Sequence, residues 1–494
     1  MELIWHPYRY YPYERELAAL EIRALLAPAS LADTRHGIRI DGVHAREKLE
    51  RLVYFAGIQD GENWTPTLQS RLERVNGNVS KRQATRYSVH GLHEYKGKFN
   101  PQVVRAILNV LGITPKARVF DPFCGSGTSL VECAHIGMTA IGTDINPLAV
   151  FIANAKLAAL RTPASRLRDA FATALTRWKS SAAFRTGGKE RLDYLASWFE
   201  PSILDLIERL RAAIAQGDPA STPVLLAVAS NLLRDYSLQD PQDLRIRRRK
   251  SPLPSTPFET AFSLAADTFI ASLEEAQSIL NRPIAGGEAL LADSREIGPE
   301  RFGASAARFD CALTSPPYAT ALPYIDTQRL SLVWLDLLPA SEILKLEAHL
   351  VGSREIRGNK KELLAALNGN RDALPDEQAG YCRMLQAALT EGDGFRRQAV
   401  PILLYRYFSG MADAFRRVRR CMKDGAPFAL IVGSNHTVLG GRRFDIDTPR
   451  HLAAIAGACG WRHEETLSLQ TYHRYGYHMN NAVNAEGLVI LRAQ

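Results

Sequence analysis

Residues 119–128, VFDPFCGSGT, constrain the fold more than any other stretch of the chain. The apolar pair Val119 and Phe120 is typical of the end of a buried strand, and the pattern after Thr128 is typical of a helix. Between them stand a carboxylate, a proline and two glycines in G-x-G spacing. Glycines at such a strand-to-helix turn let a ligand approach the backbone closely. The stretch therefore predicts an α/β fold with a ligand-binding loop.

A second predicted strand, residues 140–143, ends on Asp144. A carboxylate about 20 residues beyond a glycine turn is placed to bind the two ribose hydroxyls of an adenosine. G-x-G spacing alone is equally compatible with an ordinary tight turn in an α/β protein. The full stretch together with Asp144 is much more specific and favours a cofactor that contains adenosine.

A second motif, TSPPY, occupies residues 314–318. Ala312 and Leu313 end a further predicted strand, after which two prolines stiffen the backbone and remove two N–H donors. Carbonyl groups and the Ser315 hydroxyl are left to accept hydrogen bonds beside the ring of Tyr318. Such a site suits a planar amine that must donate hydrogens. An ordinary loop turn is the alternative, since Pro-Pro-aromatic strings are common.

Together, the two motifs resemble those of S-adenosylmethionine-dependent amino-methyltransferases of nucleic acids, especially bacterial DNA methyltransferases that act on cytosine N4 or adenine N6. That family carries D-P-F-x-G-S-G-T at the cofactor loop and D/S/N-P-P-Y/F at the catalytic loop. The resemblance implies an α/β fold built on a Rossmann-like seven-stranded methyltransferase sheet whose last strand is antiparallel. Helical insertions and a small N-terminal module would complete it. S-adenosylmethionine would be the cofactor, and no metal is expected.

The resemblance also implies which residues hold the cofactor. In the family, a K-F-x-P stretch before the glycine loop folds over the methionine end, and Lys98, Phe99 and Pro101 match it. Asp144 would bind the ribose, and Asp293, at the end of a later predicted strand, would accept from the adenine amino group. The implied cofactor-binding residues are Lys98, Phe99, Pro101, Asp121, Phe123, Gly125, Gly127, Thr128, Asp144, Asn146, Asp293 and Thr314.

The implied catalytic residues are Ser315, Pro316, Pro317 and Tyr318. An exocyclic amine is a poor nucleophile because its lone pair is delocalised into the ring, so it must be held in line with the reactive methyl group. The Ser315 hydroxyl and the Pro316 carbonyl would accept from the amine and stabilise its developing positive charge. Tyr318 would stack on a base flipped out of the duplex. Attack at cytosine C5 would instead need a cysteine where Pro317 stands.

A nucleic-acid partner also agrees with the charge of the chain, whose net charge is +9 and whose pI is near 9.2. A basic run lies between two predicted helices and comprises Arg245, Arg247, Arg248, Arg249 and Lys250. Such a run is usually a solvated loop. Inserted in an enzyme that resembles DNA methyltransferases, it is predicted to contact phosphates.

The motifs divide the chain into predicted regions. Residues 1–75 form an N-terminal module or arm, whose clustered tyrosines either pack on the enzyme or touch nucleic acid. Residues 76–160 hold the first part of the methyltransferase domain with the cofactor loop. Residues 161–285 form a helical insertion that could recognise the target. Residues 286–494 hold the second part with the catalytic motif and a further helical insertion at about 340–400. Aromatic and histidine side chains at 472–478 either line the base pocket or belong to a surface loop.

The favoured function is a site-specific DNA methyltransferase, and the serine of TSPPY favours cytosine N4 over adenine N6. The alternative is an RNA base methyltransferase of the guanine-N2 type, which usually carries D-P-P-Y. A protein-glutamine methyltransferase and a catalytically silent nucleic-acid-binding module are further alternatives. Double-stranded DNA with a flipped base would be the partner, and a restriction or defence protein could be a second one.

The remaining expectations concern the cell. Six cysteines without C-x-x-C spacing indicate neither a zinc site nor a disulfide framework. The first residues lack a signal-peptide pattern, and no apolar run approaches the ~20 residues that span a membrane. We therefore expect a cytoplasmic protein of a bacterial or archaeal cell, or one encoded by a phage.

Overall fold

The computed structural model describes residues 1–73, 82–180, 187–302, 308–319, 325–356, 358–470 and 485–494. Its strands are β1 (Glu2–Trp5), β2 (Leu31–Asp33), β3 (Gly37–Ile40), β4 (Phe55–Asp60), β5 (Asn63–Pro66), β6 (Arg118–Asp121), β7 (Thr139–Asp144), β8 (Gly287–Leu291), β9 (Cys311–Thr314), β10 (Pro427–Gly433), β11 (Asn435–Leu439), β12 (Arg442–Ile446), β13 (Trp461–Gln470) and β14 (Ala485–Ala493).

The helices are α1 (Pro12–Leu26), α2 (Arg46–Glu50), α3 (Leu68–Glu73), α4 (Pro101–Val110), α5 (Thr128–His135), α6 (Pro147–Arg161), α7 (Ala164–Ser180), α8 (Lys189–Trp198), α9 (Pro201–Ala215), α10 (Thr222–Leu232), α11 (Phe258–Leu280), α12 (Arg329–Trp334), α13 (Ile343–His349), α14 (Lys360–Asn368), α15 (Asp376–Ala387), α16 (Phe395–Cys421) and α17 (Thr448–Gly457). Short 3₁₀ turns occupy Ser88–Gly91, Pro299–Phe302 and Ala340–Glu342.

A seven-stranded sheet with the order β13-β14-β10-β9-β6-β7-β8 lies at the centre. The five strands β6, β7, β8, β9 and β10 pair with one another in parallel. Strand β14 is antiparallel to both of its neighbours, β10 and β13. The predicted Rossmann-like methyltransferase sheet, with its antiparallel final strand, is confirmed. Because the carboxyl ends of parallel strands meet at one edge, the turns after β6, β7 and β9 lie side by side.

Alternate side chains of the central strands face two different cores. Val119 belongs to the core that contains α4, α5 and α6, and Phe120 to the core that contains α16 and α17. Strand β9 alternates in the same way, with Leu313 on the first face and Ala312 on the second. Burial on both faces explains why these strands are continuous apolar runs without polar alternation.

Two helical stretches interrupt the sheet. Helices α7 to α11 lie between α6 and β8, and helices α12 to α15 lie between β9 and α16. Helix α16 begins at Phe395, whereas the sequence pattern predicts a helix only from Phe408. Pro401 lies inside it and removes one backbone hydrogen bond, but Ile402 and Leu404 are buried beside it. Tertiary packing therefore extends this helix past a residue that local propensity treats as a break.

The N-terminal residues form a separate antiparallel sheet with the order β2-β3-β1-β4-β5. Tyr10 and Tyr13 are buried in its core, and the ring of Trp5 stacks on Phe55 with centroids 4.3 Å apart. These aromatic side chains thus pack within the module. None of the helices in the described ranges is long and apolar enough to cross a membrane.

A buried carboxyl group joins this module to the methyltransferase sheet. Glu21 of α1 is fully buried, and its Oε1 accepts a hydrogen bond of 2.7 Å from Asn109 Nδ2 of α4. Burial raises the pKa of Glu21 from 4.5 to about 8, because the charged form is poorly solvated there. The folded state is therefore more stable when Glu21 is protonated than when it is charged.

The free energy of unfolding is expected to fall as the pH rises from 4.5 through about 8. A carboxyl group whose pKa is higher in the folded than in the unfolded state stabilises the fold fully at a pH below the unfolded-state pKa. This stabilisation is lost as the pH rises through the folded-state pKa. Replacing Glu21 by glutamine, which cannot ionise, should flatten that fall in urea unfolding followed by circular dichroism. Glu62→Gln, at an exposed turn residue, is the control. Equal slopes in wild type and Glu21→Gln would contradict this expectation.

Candidate active site

The glycine turn after β6 packs directly against helix α6. Gly125 and Gly127 have φ values of +49° and +77°, and α5 starts immediately after Gly127. A Cβ on Gly127 would lie 2.7 Å from the Cβ of Ala153 in α6. Glycine is therefore required at 127 both for its left-handed conformation and for close packing of the turn.

Asp121, at the end of β6, joins the glycine turn to the TSPPY loop. Its Oδ1 accepts from Phe123 N at 3.1 Å and from Thr314 Oγ1 at 2.7 Å, and its Oδ2 accepts from the Ser129 hydroxyl. Burial raises the pKa of Asp121 to about 6, against these hydrogen bonds, which stabilise the carboxylate. This one carboxyl group thus holds together the ends of β6 and β9.

Asp144, at the end of β7, faces the same turn. Its Oδ2 accepts from Gly125 N at 3.0 Å, and its Oδ1 accepts from Asn146 N at 2.8 Å. Each carboxylate oxygen can accept a second hydrogen bond. Burial raises the pKa of Asp144 to about 6. Asn146 caps α6 through Leu148 N at 3.0 Å and donates from Nδ2 to Gln328 Oε1 at 2.5 Å.

A pocket opens between the glycine turn and the TSPPY loop. Its walls are formed by Tyr95, Gly97, Lys98, Phe99, Asp121, Phe123, Cys124, Gly125, Ser126, Thr128, Ser129 and Ser315. Seven of the residues predicted from the sequence are therefore brought together around one cavity. Asp144 and Asn146 reach this wall through Gly125, and Thr314 reaches it through Asp121. Pro101 begins α4, behind the Lys98–Phe99 segment.

Asp293 is placed differently from the other predicted cofactor residues. It lines a second cavity, beyond the end of β8, with Leu291, Ala292 and Glu296 among its neighbours. Its carboxylate is bound by the Arg295 guanidinium, with Nη2 2.5 Å from Oδ2 and Nε 2.9 Å from Oδ1. Asp293 would therefore have to share its oxygens between Arg295 and an adenine amino group.

Lys98 also makes contacts within the protein. Its Nζ donates to the Thr85 carbonyl at 2.6 Å and lies 3.5 Å from the His90 carbonyl. Loss of solvation, with the nearby charge of Arg86, lowers the pKa of Lys98 to about 8. The lysine, which belongs to the pocket wall, thus ties that wall to the preceding segment at residues 85–90.

The TSPPY loop, which is predicted to be catalytic, follows β9 at the edge of this pocket. Ser315 is half-buried and faces the pocket, and Pro316 is buried. The Tyr318 hydroxyl donates to Glu486 Oε1 of β14 at 2.5 Å. A Cβ on Gly352 would lie 2.5 Å from the Tyr318 carbonyl oxygen, so the chain after α13 closes tightly on this loop.

Three residues near the glycine turn lie outside the sequence motifs and were not predicted: Lys156, Tyr95 and Gln328. Lys156 of α6 is fully buried, and its Nζ donates to Ser126 O at 2.8 Å and to Ser126 Oγ at 3.2 Å. Burial lowers the pKa of Lys156 well below its usual value. Tyr95 packs against Gly125. Gln328 Oε1 accepts a hydrogen bond of 2.5 Å from Asn146 Nδ2. Of these residues, only Lys156 could have been noticed in the sequence, because it is a single lysine on the apolar face of α6.

A buried polar cluster lies behind the pocket. Glu132 Oε1 meets His90 Nε2 at 2.7 Å and His135 Nδ1 at 3.2 Å, and Arg105 Nη2 lies 2.6 Å from Glu132 Oε2. The Arg105 cation compensates the carboxylate and holds the pKa of Glu132 well below its usual range, despite burial. His93, which has the spacing of a ligand pair with His90, instead contacts the Glu94 carbonyl at 2.7 Å. The cluster is thus already neutralised by a protein cation.

The basic run forms an ordered loop between α10 and α11. Arg247 pairs with Asp243 at 3.0 Å, and the Arg248 guanidinium lies 4.9 Å from the Trp198 ring centroid. Arg249 Nη1 donates to the carbonyls of residues 235 and 237, at 2.6 and 2.8 Å, and so supports the loop. Arg245 and Lys250 are exposed. The predicted base-pocket residues at 472–478 lie outside the described part of the chain.

The hydrogen-bond acceptors and the open wall beside the glycine turn bear on whether S-adenosylmethionine fits this site. Asp144 keeps one further acceptor position on each oxygen, which suits a pair of ribose hydroxyls. Gly125 forms part of the wall without a side chain, in contact range of Tyr95. The residues present therefore fit the cofactor that the motifs imply.

Known proteins resemble this chain in the same region. Residues 92–182 match a family described as an RMKL-like methyltransferase domain. The type II methyltransferase M.AvaI of a Nostoc species is 24% identical over 397 residues, which cover 76% of this chain and 80% of that protein. The type II methyltransferase M.MjaII of Methanocaldococcus jannaschii is 46% identical over 83 residues, 16% of this chain and 14% of that protein.

A third relative is a tRNA (guanine(10)-N2)-dimethyltransferase of Methanothermobacter thermautotrophicus, which is 36% identical over 52 residues, 10% of this chain and 16% of that protein. The shared domain, the sheet order and the pocket beside the glycine turn all lead to one assignment. The chain is an S-adenosylmethionine-dependent methyltransferase of Rossmann-like fold.

Proposed function

We propose that this enzyme methylates an exocyclic amino group of a base in double-stranded DNA, with cytosine N4 favoured over adenine N6. The observation that carries the proposal is the position of Ser315, which faces the same pocket as the glycine turn and Asp121. The similarity to M.AvaI over 76% of the chain supports DNA as the substrate. A cognate restriction or defence protein is proposed as a second partner.

The proposed roles follow from what each side chain offers. Bound S-adenosylmethionine supplies a methyl group activated by a sulfonium centre. Asp144 orients the ribose, and the Gly125 turn lies against the cofactor. The Ser315 hydroxyl and the Pro316 carbonyl accept hydrogen bonds from the target amine, which localises its lone pair and stabilises positive charge on nitrogen. Tyr318 stacks on the flipped base.

Ring C5 of cytosine is not the proposed target. That reaction needs a thiolate nucleophile, and Pro317 stands where such enzymes carry cysteine. Cys124 also lines the pocket, but burial raises its pKa well above the usual value, so its thiol stays protonated. Methyl transfer to an exocyclic amine requires no covalent enzyme–base intermediate, because the amine nitrogen bonds to the methyl carbon as the sulfur–carbon bond breaks. The Ser315 hydroxyl and the Pro316 carbonyl would accept hydrogen bonds from the amine, and the methylated nitrogen then loses a proton to solvent.

An RNA base is the second candidate target. It is favoured by the match to the tRNA methyltransferase, although this match covers only 10% of the chain. The two candidates are separated by giving the purified enzyme duplex DNA or transfer RNA with radiolabelled S-adenosylmethionine. The methylated nucleoside is then identified by mass spectrometry. We expect N4-methylcytosine from DNA; 5-methylcytosine, or label in RNA alone, would overturn the proposal.

Ser315→Ala provides the catalytic test. Loss of one acceptor for the amine should slow single-turnover methyl transfer about 10- to 100-fold, by analogy with the loss of one charge-stabilising hydrogen bond. The affinity for S-adenosylmethionine should stay near that of the wild type, because Ser315 faces the amine. Ser353→Ala, on the loop after α13, is the control. Full activity of Ser315→Ala would place the chemistry elsewhere in the chain.

We propose that the helical insertion at 161–285 contacts DNA through its basic run, within the four-part division predicted from the sequence. Replacing Arg245, Arg247 and Lys250 together by alanine should weaken binding. The slope of log affinity against log salt should become shallower by about 0.9 for each phosphate that the variant no longer neutralises. Arg249 is left in place because it supports the loop.

Fluorescence anisotropy with a labelled duplex at several salt concentrations measures this slope. Arg168→Ala, which breaks an exposed ion pair in the same insertion, is the control. An unchanged slope in the triple variant would mean that the run is only a solvated loop.

A further inference from the structure

The ring of Tyr318 is held at both ends. Its hydroxyl donates to Glu486 Oε1 at 2.5 Å, across a sequence separation of 168 residues. Glu486 lies in β14, where it is paired with Gly433 of β10 and with Leu469 of β13. The carboxylate therefore reaches from an interior antiparallel strand, over the end of β10, to the loop after β9.

The backbone of the same loop is also restrained. Gly352, with a φ of +77°, lies so close to the Tyr318 carbonyl that any added Cβ would be 2.5 Å from its oxygen. Asn435 Nδ2, at the start of β11, donates to the Ala319 carbonyl at 3.3 Å. With the backbone restrained on both sides of the ring, the hydroxyl contact restrains the far end of the ring.

We propose that Glu486 is a positioning residue for the target base, which acts by setting the orientation and the electron density of the Tyr318 ring. The inference rests on the proposed function, in which Tyr318 stacks on a flipped base. A ring whose orientation is set before the base arrives loses less conformational entropy on stacking. The structure therefore assigns to β14 a part in substrate recognition that lies outside both sequence motifs.

The charge of Glu486 adds a second effect. A hydrogen bond to a carboxylate is shorter and stronger than one to a neutral acceptor, and it draws the phenol proton away from the ring oxygen. The ring face thereby becomes more electron-rich. An electron-rich face attracts positive charge, such as that developing on the amine and base during methyl transfer. Glu486 would therefore help the chemical step as well as base capture.

Four variants separate these effects: Tyr318→Phe, Glu486→Ala, Glu486→Gln and the double variant Tyr318→Phe/Glu486→Ala. Single-turnover methyl transfer should slow about tenfold in Tyr318→Phe and in Glu486→Ala. This is roughly the effect expected from the loss of one charge-assisted hydrogen bond. The double variant should be no slower than either single variant, because both remove the same contact. Glu486→Gln keeps an acceptor and should recover base capture, but not the full rate.

Base capture is followed separately, by the fluorescence of 2-aminopurine at the target position of a duplex. The affinity for S-adenosylmethionine, measured by calorimetry, should be unchanged in all four variants. Glu464→Ala is the matched control, since it removes a carboxylate of β13 that pairs with Arg492 at 2.8 Å. Its rate should equal that of the wild type.

Two outcomes would overturn the inference. One is additive loss in the double variant. The other is a Glu486→Ala enzyme that is as fast as the wild type. If Glu486→Ala melts at a lower temperature, Glu486→Gln decides, because a purely structural role predicts full recovery of both rate and base capture. If the wild-type enzyme produces no methylated DNA base, the proposed function itself is wrong. This result comes from the wild type alone and therefore does not depend on the Glu486 variants.

Discussion

Replacing Gly127 by alanine is expected to destabilise the enzyme and to abolish cofactor binding at ordinary concentrations. The φ of +77° would cost an L-residue roughly 1–2 kcal/mol. The new Cβ would also lie 2.7 Å from Ala153 Cβ and 3.0 Å from Ala153 Cα, so the turn or α6 must move. Either movement displaces Gly125, whose N–H orients Asp144.

Gly112→Ala isolates the conformational cost. Gly112 has a φ of +66°, and an added Cβ would meet no heavy atom of the described residues within 4 Å. This control should lose stability without losing affinity for S-adenosylmethionine. Ala153→Gly in the Gly127→Ala background removes the closest contact and should restore part of the stability. Thermal unfolding and calorimetric titration measure both quantities. Equal behaviour of Gly127→Ala and Gly112→Ala would contradict the packing argument.

Replacing Asp144 by alanine is expected to weaken S-adenosylmethionine binding about 10- to 100-fold, because charge-assisted hydrogen bonds contribute roughly 1.5–3 kcal/mol. The change removes the acceptors proposed for the ribose. It also leaves Gly125 N and Asn146 N without the carboxylate that orders the turn. Calorimetric titration gives the affinity directly.

Asp310→Ala is the matched control for Asp144. Asp310 stands just before β9, at the opposite edge of the sheet, where it accepts from Arg118 N at 2.8 Å and pairs with Lys423. Its loss should lower stability and leave cofactor affinity unchanged. If Asp144→Ala binds the cofactor as tightly as the wild type, the ribose role assigned to this carboxylate is wrong.

Local chemistry explains why much of the candidate site could be predicted from the sequence. A strand, a glycine turn and a helix start lie within residues 119–128, so sterics and hydrogen bonding over a few residues determine their geometry. The carboxyl ends of parallel strands must meet at one edge of a sheet. The order of motifs along the chain therefore placed Asp121, Asp144 and Ser315 near one another.

Contacts that depend on the exact course of the backbone could not be predicted. The phosphate contact predicted for Arg249 stays a prediction, and the sequence did not indicate that its Nη1 also donates to two carbonyls of its own loop. Asp293 is bound by the guanidinium of Arg295, two residues away, and its Oδ1 also accepts from Arg295 N at 2.9 Å. The start of α16 lies 13 residues before the predicted one, at Phe395 rather than Phe408, since buried neighbours hold Pro401 inside the helix.

The sequence by itself determined the fold class, the glycine turn after β6 and the position of the TSPPY motif after β9, because each depends on residues that are neighbours in the chain. Only the tertiary structure decided which residues support them. Lys156 reaches the Ser126 carbonyl, and Glu486 reaches Tyr318, across 30 and 168 residues. Such pairs form only after helices and strands have packed, since chain separation carries no information about which side chains a finished sheet brings within hydrogen-bond distance.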